Sequence, residues 1–366
     1  MKILLVTFGD ISNPVNGYLI RVSTIYKCLL REHEVSVVQF VNTNETESNK
    51  NFMNFRVSKN YLSYGVEITL RSLSLIGKIK ASNVVVVEGS IFLPFIIMAK
   101  ILGKKIIYDT HGSIVEVSKS LKGVKNFILR RLIGGFLDYI STKLSDVTVT
   151  VSEDDAEIFK KYTRNKDKIV VVRHGIDVDK IPFYEVSNEK IKRAIFVGNL
   201  YSIQNYEAVK ILLKVAENAK DIEFLVVGDG KELFKDYPPN VKFTGRVASL
   251  DEYYKEADIC FIPLTTGTGI KTKVLECMAY GRPVITTKKG IEGLVNVEKL
   301  NGIYLVNDAI NPKEYVELFN KIKLDRSYIN LREYVKENYS TSIICREILH
   351  LIRHLEQAYA QRFDLA

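Results

Sequence analysis

The chain has 366 residues, 46% hydrophobic and 26% charged, which is too long for one ordinary hydrophobic core and comfortable for two. It lacks any apolar run of about 18 residues, and its four cysteines show no CxxC spacing, which favours a reducing cytoplasm over a disulfide framework. Residues 1–150 hold 19 Lys/Arg and 11 Asp/Glu, whereas residues 151–366 hold 33 and 32, so the net charge of +9 belongs mainly to the first half. Such a basic surface predicts phospholipid or a phosphorylated acceptor as partner, and no nucleic-acid motif is present.

The chain opens with a βαβ pattern. Ile3 to Thr7 predicts a strand, the following loop ends at Gly17, and a helix from Tyr18 to Arg31 carries Arg21. A glycine loop at the carboxyl end of a first strand is where open α/β sheets bind ligands, although Arg21 could equally be a solvated helix residue. The polar, asparagine-rich residues 42–60 predict an irregular loop.

A histidine follows the predicted strand at residues 105–108, in the turn Asp-Thr-His-Gly. A lone histidine is more often structural, but the carboxyl end of a central strand gives His111 access to a ligand, and this position favours a functional role. Further on, residues 119–144 interleave lysine and arginine with large apolar residues. This pattern fits a core helix with a basic rim, and it also suits a helix that lies on anionic lipid.

A polar segment at residues 178–192 predicts a linker, and residues 194–197 with Gly198 and Asn199 restart a βαβ pattern. Gly228-Asp229-Gly230 follows a predicted strand, but Leu233 stands where a dinucleotide fingerprint needs its third glycine, so NAD binding is a weak alternative. His350 and His354 lie four apart without the glutamate of a zinc motif, and no metal site is predicted.

The most informative stretch runs from Pro263 to Gly293. It predicts a strand at residues 259–262, a loop with two glycines, a helix at residues 271–280, a left-handed cap at Gly281 and a strand at residues 284–287. Strand, glycine loop, helix and strand in this order direct free backbone N–H groups toward an anion.

The side chains of this helix agree with an anionic ligand. Lys271 and Lys273 in its first turn oppose the helix dipole, which indicates a negative group nearby. Glu276, one turn on, can accept two hydrogen bonds from a ribose diol. Together these groups suit a nucleoside diphosphate, while a plain βαβ unit with solvated lysines is the alternative.

The segment from Gly245 to Leu294 resembles the donor site of the family 4 glycosyltransferases, retaining enzymes with the GT-B fold. The resemblance rests on an ordered series of motifs: Gly245-Arg246-Val247, an acidic and apolar helix at residues 251–258, Gly267 to Gly269, Lys273 to Glu276, and Gly281 to Val284. The fullest form of the family pattern has a further glutamate eight positions before Glu276, where this chain has Thr268.

The resemblance implies two doubly wound Rossmann-like α/β domains that face a cleft. Residues 1–178 would form the acceptor-side domain and residues 193–338 the nucleotide-sugar domain. Residues 339–366 would form a C-terminal helix that crosses back to the first domain.

The implied function is transfer of a sugar, of the hexosyl type, from a nucleoside-diphosphate sugar to a hydroxyl of a glycolipid, polysaccharide or glycan. The resemblance implies retention at the anomeric carbon, no metal and no cofactor besides the donor substrate. It implies catalytic roles for His111 and Lys273, and an acceptor or cleft loop that includes Gly17 and Arg21. The donor-binding residues would be Gly198, Asn199, Arg246, Thr268, Gly269, Ile270, Lys271 and Glu276.

The same resemblance leaves one alternative, a non-catalytic subunit that binds sugar nucleotides, which would explain the missing glutamate at Thr268. The expected location is the cytoplasm, peripheral on the inner face of the cell membrane, with a role in cell-envelope glycan synthesis. The expected partners are the nucleotide sugar, a glycan or lipid-linked acceptor and an anionic membrane surface, without nucleic acid.

Overall fold

The structure is a computed structural model that describes residues 1–14, 17–41, 51–56, 61–112, 124–267 and 269–363, with the backbone alone for residues 61–64, 124–131 and 358–363. It divides into two compact units, Met1–Gly175 with Thr341–Ala366, and Ile176–Ser340. Thr268 and the basic first part of the 119–144 segment therefore lie outside the described side chains.

The described part of the first unit contains seven strands: β1 (Lys2–Phe8), β2 (Glu34–Val41), β3 (Phe52–Arg56), β4 (Val84–Glu88), β5 (Lys105–Asp109), β6 (Val147–Thr150) and β7 (Ile169–Val171). They form one sheet in the order β3-β2-β1-β4-β5-β6-β7, and every neighbouring pair is parallel. The helices between them are α1 (Gly17–Leu29), α2 (Tyr61–Ser74), α3 (Ile76–Ala81), α4 (Leu93–Ile101), α5 (Val124–Leu144) and α6 (Glu153–Lys160). This is the doubly wound arrangement that the sequence predicted.

The second unit, as far as its residues are described, contains six strands: β8 (Arg193–Val197), β9 (Glu223–Val227), β10 (Val241–Gly245), β11 (Ile259–Ile262), β12 (Val284–Thr287) and β13 (Ile303–Val306). They pair in parallel in the order β10-β9-β8-β11-β12-β13. Its helices are α7 (Ile203–Ala216), α8 (Asp251–Glu256), α9 (Thr272–Ala279), α10 (Pro312–Lys321) and α11 (Ile329–Tyr339). The second Rossmann-like sheet predicted from the sequence is therefore present.

The last helix, α12 (Thr341–Phe363), belongs to the first unit and packs against α1. Ile344, Ile348 and Ile352 on α12 are buried in the same core as Val22 and Ile25 of α1. The opposite face of the sheet is covered by α2, α3 and α4, whose buried residues form a second core with Leu4 and Val6. Because successive strand residues point to opposite faces, a strand covered on both sides reads as continuously apolar, as β1 and β4 do.

Strand β3 corrects the sequence interpretation of residues 42–60 as an irregular loop. Phe52–Arg56 pairs with β2 from Val37 to Val41, and its apolar residues Met53 and Phe55 pack against the core. Short edge strands of this kind carry little sequence signal because a single neighbour defines them. The residues of that stretch at 42–50 and 57–60 lie outside the described residues.

The cysteines also differ from the sequence expectation of free thiols. Cys28 is bonded to Cys345 and Cys260 to Cys277, with Cα–Cα distances of 5.0 and 6.3 Å. The first bond joins α1 to α12 across 317 residues of sequence, a distance that no local spacing motif reveals. The structure therefore pairs all four cysteines, whereas their spacing in the sequence favoured free thiols.

Candidate active site

In the second unit, the loop between β11 and α9 is shaped by two glycines in the left-handed region, with φ of 109° at Gly267 and 67° at Gly269. A Cβ on Gly267 would stand 2.0 Å from Oε1 of Gln204, so glycine lets the loop lie against the start of α7. Lys271 is buried, and its Nζ donates to the carbonyl of Gly269 at 2.5 Å and lies 3.8 Å from Glu292. Lys271 therefore holds the loop in shape and places a positive charge beside it.

Lys273 turns toward the end of β8. Its Nζ donates to Oδ1 of Asn205 and lies 4.6 Å from the centroid of the Phe196 ring. A Cβ on Gly198 would stand 2.9 Å from this Nζ, so the glycine leaves room for the ammonium group. Burial lowers the pKa of Lys273 to about 7, because it disfavours the charged ammonium group. An anion bound beside Lys273 would act in the opposite direction and favour the charged form.

Glu276 lies one turn further along α9, on the same side as Lys273. Tyr254 of α8 donates its hydroxyl to Oε2 of Glu276 at 3.3 Å, and its ring stacks on Tyr280 at 4.1 Å. Burial raises the pKa of Glu276 to about 7, while the hydrogen bond from Tyr254 and the charge of Lys273 act in the opposite direction. The site thus holds an acid and a base whose charges are both sensitive to a bound ligand.

The other predicted donor-binding residues that the structure describes make no hydrogen bond with the side chain of Lys273 or Glu276. Arg246 is exposed after β10, and Asn199 is exposed with its carbonyl accepting from Nδ2 of Asn205 at 2.8 Å. Ile270 is half-buried against the core of the unit, next to Gly269. Thr268 lies outside the described residues. The described geometry therefore brings Gly198, Asn205, Lys273 and Glu276 together and leaves Arg246 at the surface.

The Gly228-Asp229-Gly230 turn after β9 has a packing role. A Cβ on Gly228 would stand 2.0 Å from the carbonyl oxygen of Gly198, and one on Gly230 would stand 2.9 Å from Cβ of Leu200. The glycines are required because two strand ends meet here, which removes the main argument for a dinucleotide fingerprint at this turn.

In the first unit, Arg21 is buried and paired with Asp109 at the end of β5. One terminal nitrogen of Arg21 donates to both oxygens of Asp109 at 3.0 and 3.1 Å, and the other donates to the carbonyl of Arg173 at 2.8 Å. Both side chains are 1% exposed, which rules out the interpretation of Arg21 as a solvated helix residue.

His111 lies next to this pair. Its Nε2 is 2.8 Å from Oε2 of Glu88 at the end of β4, and the ring of Tyr18 lies against it with centroids 4.2 Å apart. The Glu88 side chain is 0% exposed, whereas that of His111 keeps 20% of its surface accessible. His111 can therefore contact a ligand on one side while Glu88 holds it on the other.

Burial dominates the charge states in this cluster. It raises the pKa of Glu88 to about 8 and that of Asp109 to about 6, with Arg21 opposing both shifts, and it lowers the pKa of His111 to about 4. Oε1 of Glu88, Oγ1 of Thr110 and Nε of Arg21 are buried and have no hydrogen-bond partner among the residues that the structure describes.

Glu88, Asp109 and His111 each offer an atom within 4.8 Å of the others, as a metal site requires. However, the Asp109 carboxylate already binds the Arg21 guanidinium through both oxygens. A metal ion would have to displace the Arg21 guanidinium from a buried ion pair, which is costly. The cluster is therefore better suited to exchange protons than to bind a metal ion.

Gly17 begins α1, and its carbonyl is 2.8 Å from Nε2 of the buried His174. The sequence singled out Gly17, Arg21 and His111 but missed Glu88, Asp109 and Tyr18. A buried acid at the end of an apolar strand, as in Val-Val-Val-Val-Glu, was the available signal for Glu88. Tyr254 in the second unit was missed because no local pattern links it to Glu276.

Two family models match the chain, Glycosyltransferase Family 4 over residues 15–180 and Glycosyl transferases group 1 over residues 191–322. The chain belongs to the family 4 glycosyltransferases. The matches cover both units, so the resemblance noted in the donor segment extends to the first half. No curated protein matches the chain significantly.

Solved structures agree with the GT-B fold of this glycosyltransferase. Sucrose-phosphate synthase from Thermosynechococcus elongatus is 16% identical with a TM-score of 0.72, and the match covers 98% of this chain and 99% of that one. HepE from Anabaena in complex with UDP is 14% identical with a TM-score of 0.71 over 97% and 100%. The lipopolysaccharide outer core galactosyltransferase WaaB is 15% identical with a TM-score of 0.69 over 97% and 99%.

Among the described residues, no helix is both long and apolar enough to cross a membrane.

Proposed function

We propose that this glycosyltransferase moves a hexosyl group from a nucleoside-diphosphate sugar to an acceptor hydroxyl, with retention at the anomeric carbon and without a metal ion. The observation that carries the proposal is the position of Lys273 and Glu276 on one side of α9, directly after the glycine loop at the carboxyl edge of the second sheet. This combination of backbone N–H groups, one ammonium and one carboxylate matches a diphosphate joined to a ribose.

In the proposed mechanism, Lys273 and the backbone N–H groups near Gly269 stabilise the negative charge that develops on the leaving diphosphate. Burial lowers the pKa of Lys273, and the negative charge of the arriving diphosphate would raise it again and so favour the protonated form. Glu276 accepts hydrogen bonds from the ribose hydroxyls, which favours its ionised form. Donor binding would therefore favour the charged forms of two side chains whose pKa values burial moves to about 7.

The donor class to test first is the UDP-sugars, because HepE has been crystallised with UDP, with UDP and glucose, and with UDP-glucose. Gly198, Asn199 and Ile270 would then line the nucleotide, and Lys271 would act through the shape of the loop. Arg246 is exposed and would close on the phosphates from the end of β10.

In the first unit, His111 is the proposed contact to the transferred sugar, since its ring combines a buried anchor with an accessible side. Gly17 and Arg21 are the proposed acceptor-side residues. Because the Arg21 side chain is committed to Asp109 and to the Arg173 carbonyl, it would act by fixing the end of β5.

We also propose a glycan or lipid-linked acceptor, in cell-envelope glycan synthesis, and a peripheral position of the first unit on the anionic inner face of the cell membrane. Helices α2, α4 and α5 contact one another in series on one side of the first sheet. Among their described side chains, eight large apolar ones are exposed: Val66, Leu70, Leu73, Ile97, Ile101, Leu132, Ile133 and Phe136. An exposed apolar surface within a basic half of the chain suits an anionic leaflet.

The test is a panel of nucleoside-diphosphate sugars offered with glycan and lipid-linked acceptors. Product mass would report transfer, and the proton coupling at the new anomeric centre would report retention. Transfer in EDTA with a retained anomer is expected. Tight donor binding without transfer or hydrolysis would favour the non-catalytic subunit, and activity that returns only with added magnesium or manganese would contradict the metal-independent mechanism.

A further inference from the structure

His111 is oriented by Glu88, from the neighbouring strand. Glu88 and Asp109 are register partners at the ends of β4 and β5, so both carboxylates and the histidine two residues later meet at one edge of the sheet. The contact between Oε2 of Glu88 and Nε2 of His111 at 2.8 Å, together with the Tyr18 ring, fixes the imidazole plane. With Nε2 engaged, Nδ1 is the ring nitrogen that makes no hydrogen bond within the described part of the chain, which leaves it for a ligand.

The titratable groups around this contact lie on α1, at the end of β5 and after β7. Arg21 on α1 faces the cluster and is paired with Asp109, while His174 after β7 carries its own hydrogen bond to Gly17. Among the described residues, no lysine or arginine forms an ion pair with Glu88, and burial favours its neutral form. The same burial keeps His111 neutral.

We propose that Glu88 is a positioning residue whose carboxyl proton is donated to Nε2 of His111, which keeps the ring proton on Nδ1 and makes His111 a hydrogen-bond donor toward the sugar. When Glu88 ionises, its proton leaves to solvent and the imidazole proton moves from Nδ1 to Nε2, where it is donated to the carboxylate. Nδ1 then becomes an acceptor. This inference rests on the proposed function for its consequence, but the tautomer itself is independent of activity.

The direct test is ¹⁵N NMR of the full chain labelled at histidine, which distinguishes protonated from unprotonated ring nitrogens. At about pH 6, His111 should carry its proton on Nδ1, and the proton should move to Nε2 at about pH 10, beyond the pKa of Glu88. Comparison with the spectrum of His111→Asn assigns the signal. His174, whose Nε2 lies against a carbonyl, is an internal reference within the same spectrum.

Two variants separate the hydrogen bond from the ionisation. Glu88→Gln still donates to Nε2 through its amide and cannot ionise, so His111 should keep the Nδ1 proton throughout the titration. Glu88→Leu lacks the donor and should lose the tautomer preference. Asp138→Asn alters another buried acid of this unit, bonded to Ser90 and Tyr108, and should leave the His111 signal unchanged.

Kinetics give the second measurement. Turnover of the wild type should fall as the pH rises through the pKa of Glu88, and Glu88→Gln should show a smaller fall, because only the loss of the Lys273 proton remains in this range. Glu88→Leu should lower kcat about tenfold, as expected for one neutral hydrogen bond, with an unchanged nucleotide Kd, and Glu88→Gln should recover most of the loss.

The outcomes distinguish this inference from the proposed function. A proton on Nε2 at about pH 6, or a Glu88→Gln variant that titrates like the wild type, would overturn the role of Glu88 whatever the activity. The expected tautomer in a protein that transfers no sugar would leave Glu88 assigned and contradict the proposed function instead.

Discussion

At the scale of single residues, burial makes the charges of Lys273 and Glu276 sensitive to whatever binds beside them. Burial lowers the pKa of the lysine and raises that of the glutamate, so each pays a desolvation cost that a diphosphate and a ribose would offset. Such perturbed pairs are typical of functional sites. The neighbouring Lys271 donates a hydrogen bond to the carbonyl of Gly269, which stabilises the conformation of the glycine loop.

We therefore expect Lys273→Ala to lower kcat by about 10²- to 10³-fold, because it removes a donor that acts on charge developing in the transition state. The donor Kd should rise by a smaller factor. Lys214→Ala, which removes the same charge from the exposed side of α7, is the matched control and should retain the wild-type kcat. Steady-state kinetics with donor titration measure both constants; equal losses in kcat and binding would indicate a ground-state role.

The sequence predicted that Lys273 and Glu276 lie on one side of a helix, but it did not predict which residues contact them. Lys273 and Glu276 are three apart on a predicted helix, so their common side follows from helical periodicity. The partners Asn205 and Tyr254 come from α7 and α8, and Glu88 reaches His111 through the pairing of β4 with β5. These contacts depend on strand order, which local patterns do not contain.

At the scale of elements, helix α9 is positioned by its two ends. The glycine loop sets its start, and Gly281 ends it with φ of 77°. The N–H of Gly281 donates to the carbonyl of Met278, and that of Arg282 donates to the carbonyl of Cys277, both at 3.0 Å. This is the Schellman pattern, and the left-handed cap predicted from the sequence is confirmed.

Gly281→Ala should destabilise the protein by about 1–2 kcal/mol, the cost of a left-handed residue with a Cβ. The added Cβ would also stand 2.4 Å from the Phe183 ring, so the loss should be at the upper end of that range. Gly77→Ala in α3, where a Cβ meets nothing within 4 Å, is the control and should be neutral or stabilising. Urea unfolding measures both, and equal midpoints for Gly281→Ala and the wild type would contradict the role of the cap.

At the scale of the whole molecule, the family resemblance and strand periodicity predicted two Rossmann-like sheets, and both are present. The return of α12 to the first unit and its bond from Cys345 to Cys28 join segments 317 residues apart. The sequence gives the number and positions of the cysteines, but it does not give the distances between them in the folded chain. The basic first half was visible in the sequence, whereas the exposed apolar residues of α2, α4 and α5 became apparent only in the structure.

The membrane proposal predicts co-sedimentation of the full chain with anionic liposomes at low salt. Binding should be lost at about 1 M salt, where the Debye length is near 3 Å, and should be weak on neutral liposomes. Phe136→Ser, on α5, should reduce binding. Ile310→Ser changes an apolar residue with 70% exposure in the second unit and should have no effect. Equal effects of the two substitutions would indicate nonspecific adsorption.

In the proposed donor site, Glu276 is the group that recognises the nucleoside diphosphate. Isothermal titration of UDP into the wild type, Glu276→Ala and the exposed control Glu298→Ala tests this directly. A hydrogen bond to a charged group contributes about 1.5–3 kcal/mol, so Glu276→Ala should raise the Kd by roughly tenfold to a hundredfold while Glu298→Ala matches the wild type. A folded Glu276→Ala protein with the wild-type Kd would contradict the donor site described for α9.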